Sequence, residues 1–148
     1  MTVSSFVLAH PAAAPAEMAA YLRAKLARYA DSADLAYDLE HGVPGIVVVD
    51  ARADAAYRDG HIPGAIGFPH RTMDAASTAR LGRDVTYVVY CDGIGCNAST
   101  RGAWKLAELG FSVKELIGGL DFWRRDGYAV AQGPQPGRLA AGGAACGC

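Results

Sequence analysis

The sequence predicts an α/β domain with a mostly parallel central sheet and helices on both faces. Three observations carry that prediction. Short β-branched runs alternate with helix-like stretches along the chain, the order that strand–helix–strand units impose. Two runs, Ile46-Val47-Val48-Val49 and Val85-Thr86-Tyr87-Val88-Val89-Tyr90, are apolar or aromatic at nearly every position rather than every second one. Strands covered on both faces read that way. At 148 residues, 51% hydrophobic and 20% charged, the chain is sized for one domain with its own core.

Residues 1–14, rich in Ala and interrupted by Pro11, read as a loose leader without the basic start of a signal peptide. Pro15 suits the first turn of a helix, and Met18, Leu22, Leu26 and Tyr29 follow at helical spacing. Asp31 or Ser32 begins a second helix through Leu35 and Leu39, stopped by Gly42-Val43-Pro44. The Ile46–Val49 strand follows, then a short helical turn over Asp54–Arg58 that ends at Gly60. Pro63-Gly64 makes a turn into a short strand over 65–68.

The strongest strand, 85–90, runs directly into Cys91. A polar, Gly-containing loop, Asp92 to Ala98, leads to a helix from about Ser99 to Leu109, with Gly110 as its natural cap. Val113 to Ile117 gives another strand, Gly118-Gly119 a turn, and Leu120 to Asp126 the last helix. Leader and first helix thus occupy 1–31, and the domain proper 32–131. From Gln132 the composition turns to Gly, Pro and Ala and ends Cys146-Gly147-Cys148, which reads as a flexible tail over 132–148.

Charge excludes several functions. Fourteen Lys+Arg balance fifteen Asp+Glu for a net charge of −1, without the basic stripe that nucleic acid or an acidic membrane demands. No apolar run approaches the roughly 18 residues of a membrane span. No nucleic-acid or membrane partner is expected, and a cytoplasmic location is. The four cysteines, Cys91, Cys96, Cys146 and Cys148, then read as reduced thiols, either reactive or metal-binding.

Cys91 stands where chemistry is expected, since ligands of open α/β sheets bind beyond the carboxyl ends of the strands. Loop amides turned inward make a nest for an anion, and the following helix adds positive potential that lowers a thiol pKa. A buried, inert cysteine is the bland alternative. The strand end, Gly93 and Gly95, and the helix behind them favour a reactive thiolate.

At these positions the chain resembles the rhodanese-like (sulfurtransferase) domain. The resemblance rests on Val49-Asp50-Ala51-Arg52, Gly60-His61-Ile62-Pro63-Gly64-Ala65, the strand–Cys91–loop–helix unit, and Gly118-Gly119-Leu120 with Trp123 ahead of Gly127-Tyr128. The stretch Cys91 to Thr100 and the Pro69-His70-Arg71 segment are similar to a single-domain subgroup whose active loop carries two cysteines. It implies a three-layer fold and a sulfur relay without an organic cofactor. Cys91 takes sulfane sulfur from thiosulfate or a persulfide, and a thiol, cyanide or a protein acceptor removes it.

The substrate loop so implied comprises Asp92, Gly93, Ile94, Gly95, Asn97, Ala98, Ser99, Thr100 and Arg101. Asp50, Arg52 and His61 carry over as framework, with His61 bonded inside its turn. His70 and Arg71 stand at the rim or in a plain surface turn. Arg101 adds charge to the site or is an ordinary solvated helix residue. Cys96 resolves a modified Cys91 or replaces it as nucleophile. Asp92, where a basic residue is common, raises a thiol pKa and repels thiosulfate, which points towards a persulfide donor.

Three rival readings stand beside this one. The spacing of either cysteine to Arg101 does not suit a cysteine phosphatase. A site of Cys91, Cys96, Cys146 and Cys148 would bind zinc only if the tail folded back. A non-catalytic or redox-sensing module of the same fold is the third. Trp104 and Trp123 are expected in the core.

Overall fold

The computed structural model describes residues 1–142. A sheet of five parallel strands runs in the order β1-β5-β4-β2-β3, where β1 is Tyr29–Ala30, β2 Ile46–Asp50, β3 Ile66–Gly67, β4 Thr86–Tyr90 and β5 Ser112–Leu116. The helices are α1 (Pro15–Arg28), α2 (Ser32–Glu40), α3 (Asp54–Asp59), α4 (Ala98–Glu108) and α5 (Gly119–Arg125). Local signals place them. Pro15 opens α1, the Asp31 carboxylate accepts from the Asp34 amide to cap α2, and Gly110 leaves α4 with φ 88°.

The continuous apolar strands are apolar for a reason visible in the two cores. Val48, Val88 and Tyr90 face Leu35 and Ala36 of α2 and Leu120 and Trp123 of α5. Val49, Tyr87 and Val89 face the opposite way, against Ala103 and Leu106 of α4 with Met73 and Phe111. Successive side chains on one strand therefore enter different cores, each burial contributing about 1.5–3 kcal/mol for a residue of valine or leucine size.

Four features differ from the sequence expectation. The edge strand β1 has only two residues, too few to leave a periodic signal. The apolar stripe of α1 lies uncovered: Met18, Leu22 and Leu26 are all exposed. Tyr29, read as its last member, is likewise exposed and belongs to β1, while Lys114 Nζ of β5 ties the helix to the sheet by donating to the Leu26 carbonyl at 3.0 Å. Trp104, expected inside, is 58% exposed, whereas Trp123 is fully buried.

The fourth is the segment after residue 131, expected to be flexible from 132. It is docked as far as Leu139, which is 4% exposed and belongs to the α2/α5 core. His61 and Ala131 exchange backbone hydrogen bonds, both 2.9 Å, and Gly64 N–H donates to the Pro136 carbonyl at 2.8 Å. A single large apolar side chain anchors a Gly- and Pro-rich segment that composition alone reads as tail. Cys146 and Cys148 lie outside the described residues, so the four-cysteine reading falls partly outside them too.

Candidate active site

The site forms at the carboxyl ends of β2 and β4, whose last residues Asp50 and Tyr90 are register partners. Arg52 turns back onto Asp50, its Nε and backbone N–H each donating to Oδ1 at 3.0 Å and its Nη2 to Oδ2 at 2.7 Å. The same guanidinium donates to the Gly60 carbonyl at 2.6 Å and to Asp92 at 2.8 Å. The Tyr90 hydroxyl donates to Asp50 at 2.8 Å and accepts from the Ile62 amide at 3.0 Å. Burial opposes the charge on Arg52, but Asp50 and Asp92 outweigh it and raise its pKa. Burial, then the Asp50 charge, keep the Tyr90 phenol protonated. Asp50, Arg52 and Asp92 thus join the β2 end to the loop after β4.

That loop is pinned from below. The amides of Leu120 and Asp121, at the start of α5, donate to the carbonyls of Cys91 and Asp92 at 2.9 and 2.8 Å. Gly119 makes this approach possible. It sits at φ 57°, and a Cβ there would run into the Cys91 carbonyl oxygen, so a side chain is excluded on both counts. The Gly118-Gly119 pair read from the sequence as a turn is also the seat of the loop.

Cys91 is 2% exposed. Its Sγ lies 3.1 Å from the Cys96 carbonyl and 3.8 Å from that of Gly93, both placed to accept from a thiol, and 3.3 Å from Ser99 Oγ. Ser99 occupies the first turn of α4. Burial pushes the Cys91 thiol up from its ordinary value, against the Ser99 hydroxyl and amide that favour the thiolate, and the nearby Cys96 thiol adds to the rise. This corrects the expectation of a sulfur ringed by amides and held ionised. Desolvation outweighs the Ser99 hydroxyl and amide, and the two carbonyls that face the sulfur offer it no further donor. The Asp92 charge, expected to raise the thiol pKa, is instead taken up by Arg52.

The remaining site residues fall into clear positions. A cleft of about 500 Å³ brings together Arg52, Asp92, Cys96, Asn97 and Ala98 with His70 and Arg71. Arg101 lies farther round, lining a second depression with His70, Arg71, Trp104 and Lys105. Burial and the positive charges of Lys105, Arg71 and Arg101 lower the His70 pKa. Gly93, Ile94 and Gly95 line a third cleft with Cys96, Phe122 and Arg124, and Cys96 thus borders two clefts. His61 is fully buried, its ring nitrogens 2.8 Å from the Tyr57 carbonyl and 3.0 Å from that of Pro136. Its partners lie outside the Gly-His-Ile-Pro-Gly turn expected to hold it.

Two residues escaped the sequence reading. Tyr90 completes the Asp50 cluster, and Glu115 Oε2 stands 3.3 Å from Ser99 Oγ and 3.1 Å from Thr100 Oγ1. A charged residue inside a strand of a doubly covered parallel sheet was the available signal for Glu115. Among the described residues no group of three or more His, Cys, Asp or Glu side chains is arranged to hold a metal. No helix there is long and apolar enough to cross a membrane.

A doubly covered parallel sheet with a cysteine at a central strand's carboxyl end, beneath the first turn of a helix, defines a cysteine-loop α/β domain. The chain belongs to the Rhodanese-like domain family, which matches residues 32–126. It is similar to the BH2092 protein from Bacillus halodurans, with 40% identity and a TM-score of 0.79 over 82% of this chain and 88% of that one. A thiosulfate sulfurtransferase from Pseudomonas aeruginosa is 31% identical, with a TM-score of 0.60, over 74% of this chain and 20% of its own. The HTH-type transcriptional regulator Rv0324 of Mycobacterium tuberculosis is 35% identical over 92 residues, 62% of this chain. The chain matches only 40% of that regulator's length.

Proposed function

We propose that this protein is a sulfurtransferase that carries sulfane sulfur on Cys91. The observation that carries the reading is the Cys91 sulfur at the end of β4 with the Ser99 hydroxyl 3.3 Å away. Likeness to a thiosulfate sulfurtransferase supports the reaction class. Cys91 loses its proton and attacks the outer sulfur of thiosulfate or a persulfide. The donor's S–S bond breaks and its electron pair leaves with sulfite or a thiolate. A thiol, cyanide or protein nucleophile then removes the outer sulfur and returns Cys91. Arg71 at the cleft beside Cys96, and Arg101 in the adjoining depression, supply positive charge for an anionic donor. The cycle requires no organic cofactor.

Intact-mass measurement after incubation with thiosulfate, and separately with a low-molecular-weight persulfide, tests this directly. A Cys96→Ser protein is expected to gain one sulfur atom, mapped to Cys91, and a Cys91→Ser variant to gain none. Sulfur found on Cys91→Ser, or on neither variant with any donor, would remove the assignment. The likeness to a transcriptional regulator favours a second reading, a thiol sensor without turnover. Thiocyanate produced in large excess over protein from thiosulfate and cyanide would rule it out.

A further inference from the structure

We propose that Cys96 discharges a sulfur-loaded Cys91, releasing sulfide and leaving a Cys91–Cys96 disulfide that an external dithiol reductant reopens. This rests on the reading of Cys91 as the sulfur acceptor. The two cysteines are already adjacent: the Cys96 carbonyl is 3.1 Å from the Cys91 sulfur. A turn closed by the Cys96 amide on the Gly93 carbonyl, 3.1 Å, brings the chain back over that sulfur. Disulfide geometry asks for Cβ atoms about 3.5–4.5 Å apart, a local adjustment for residues five apart in sequence. The loop has room at Gly95, where no heavy atom lies within 4 Å of the place a Cβ would stand.

The surroundings of the sulfur make discharge favourable. In a persulfide the negative charge lies on the outer sulfur, one bond from an Sγ that already has the Gly93 and Cys96 carbonyl oxygens against it and Ser99 as its donor. Oxygens facing an anion repel it, whereas an anion nest turns amides towards it. Cys91 is buried while Cys96 is half-buried at the mouth of two clefts. The second thiol is therefore the more exposed of the two and borders the clefts from which a donor arrives.

The chemistry balances within the protein. The Cys96 thiolate attacks Cys91 Sγ, the bond between Sγ and the outer sulfur breaks, and that bond's electron pair leaves with hydrosulfide. The outer sulfur is reduced from the sulfane to the sulfide level, and each cysteine sulfur gives up one electron. A dithiol of the thioredoxin class then reduces the disulfide and is itself oxidised.

The full chain is mixed with thiosulfate, or with glutathione persulfide, in the absence of reductant and followed by intact mass, peptide mapping and a sulfide probe. Wild type is expected to lose two hydrogens, give a cross-linked Cys91–Cys96 peptide and release a burst of one sulfide per chain. Without donor it stays reduced over the same time. The Cys96→Ser variant keeps the added sulfur on Cys91 and loses the sulfide burst. Wild type that retains the added sulfur, or links Cys91 to Cys146 or Cys148, overturns the inference while leaving the sulfurtransferase reading intact. Absence of added sulfur on Cys96→Ser, with no cross-link in wild type, overturns both. The wild-type cross-link requires no variant, and Cys96→Ala serves if the serine protein does not fold.

Discussion

The polar groups at the ends of β2 and β4 are neighbours in register but obey opposite rules. At the end of β2, Asp50 accepts from Arg52 and Tyr90, and Arg52 also reaches Gly60 and Asp92. Both charges are paired, as burial requires. At the end of β4 the sulfur meets two carbonyls and one serine. The first cluster is saturated and fixes geometry. The second is left short of donors, so that reaction changes what the sulfur needs. Framework and reactive centre are separated by how completely their polar atoms are satisfied.

The comparison breaks most severely if Arg52 is removed. Arg52→Ala strands a buried carboxylate and is expected to destabilise the fold by about 3–5 kcal/mol, read from urea unfolding. Arg52→Lys recovers only part of this, because an ammonium lacks the planar fork. A loss below about 1 kcal/mol would show that the pair behaves like a surface ion pair.

Gly119→Ala tests the seat of the reactive loop. Positive φ and the collision with the Cys91 carbonyl predict a loss of about 1–3 kcal/mol, together with altered Cys91 reactivity in a thiol-labelling assay. Unchanged labelling would show that the loop is not set by its seat.

The pH dependence sharpens the contrast at the sulfur. Because the folded thiol pKa is raised, iodoacetamide labelling of Cys91 should climb with pH to a midpoint above that of free cysteine. The sign for stability follows: the contribution is intact below the ordinary thiol range and is lost as pH rises towards the folded value. A labelling midpoint below free cysteine would reverse the comparison. Smallest is Ser99→Ala, which removes a donor to the thiolate and should slow labelling at fixed pH roughly threefold to tenfold, about 1 kcal/mol.

The parts of this architecture written as long repeating patterns were legible in the sequence. The Ile46–Val49 and Val85–Tyr90 runs, the cap at Asp31 and the glycines after Cys91 and Ile117 gave the sheet, the helices and the place of the site. What escaped depends on short or orientational features. Two residues, Tyr29 and Ala30, cannot announce an edge strand, and one leucine at 139 cannot outweigh a Gly- and Pro-rich composition. Trp104 lies on the outer face of α4, which is amphipathic in pattern but not in that residue. The thiol's state was missed because spacing shows that a loop precedes a helix, not which way its carbonyls turn.

The family match ends at residue 126, but the folded body does not. Leu139 and Pro136 close over the Gly60–Ala65 stretch like a keystone, and the Gly60 carbonyl is one of the oxygens that hold Arg52. A nick in the backbone after 131 would therefore be felt at the Cys91 end of the sheet, through a chain of contacts that begins in sequence past the matched domain.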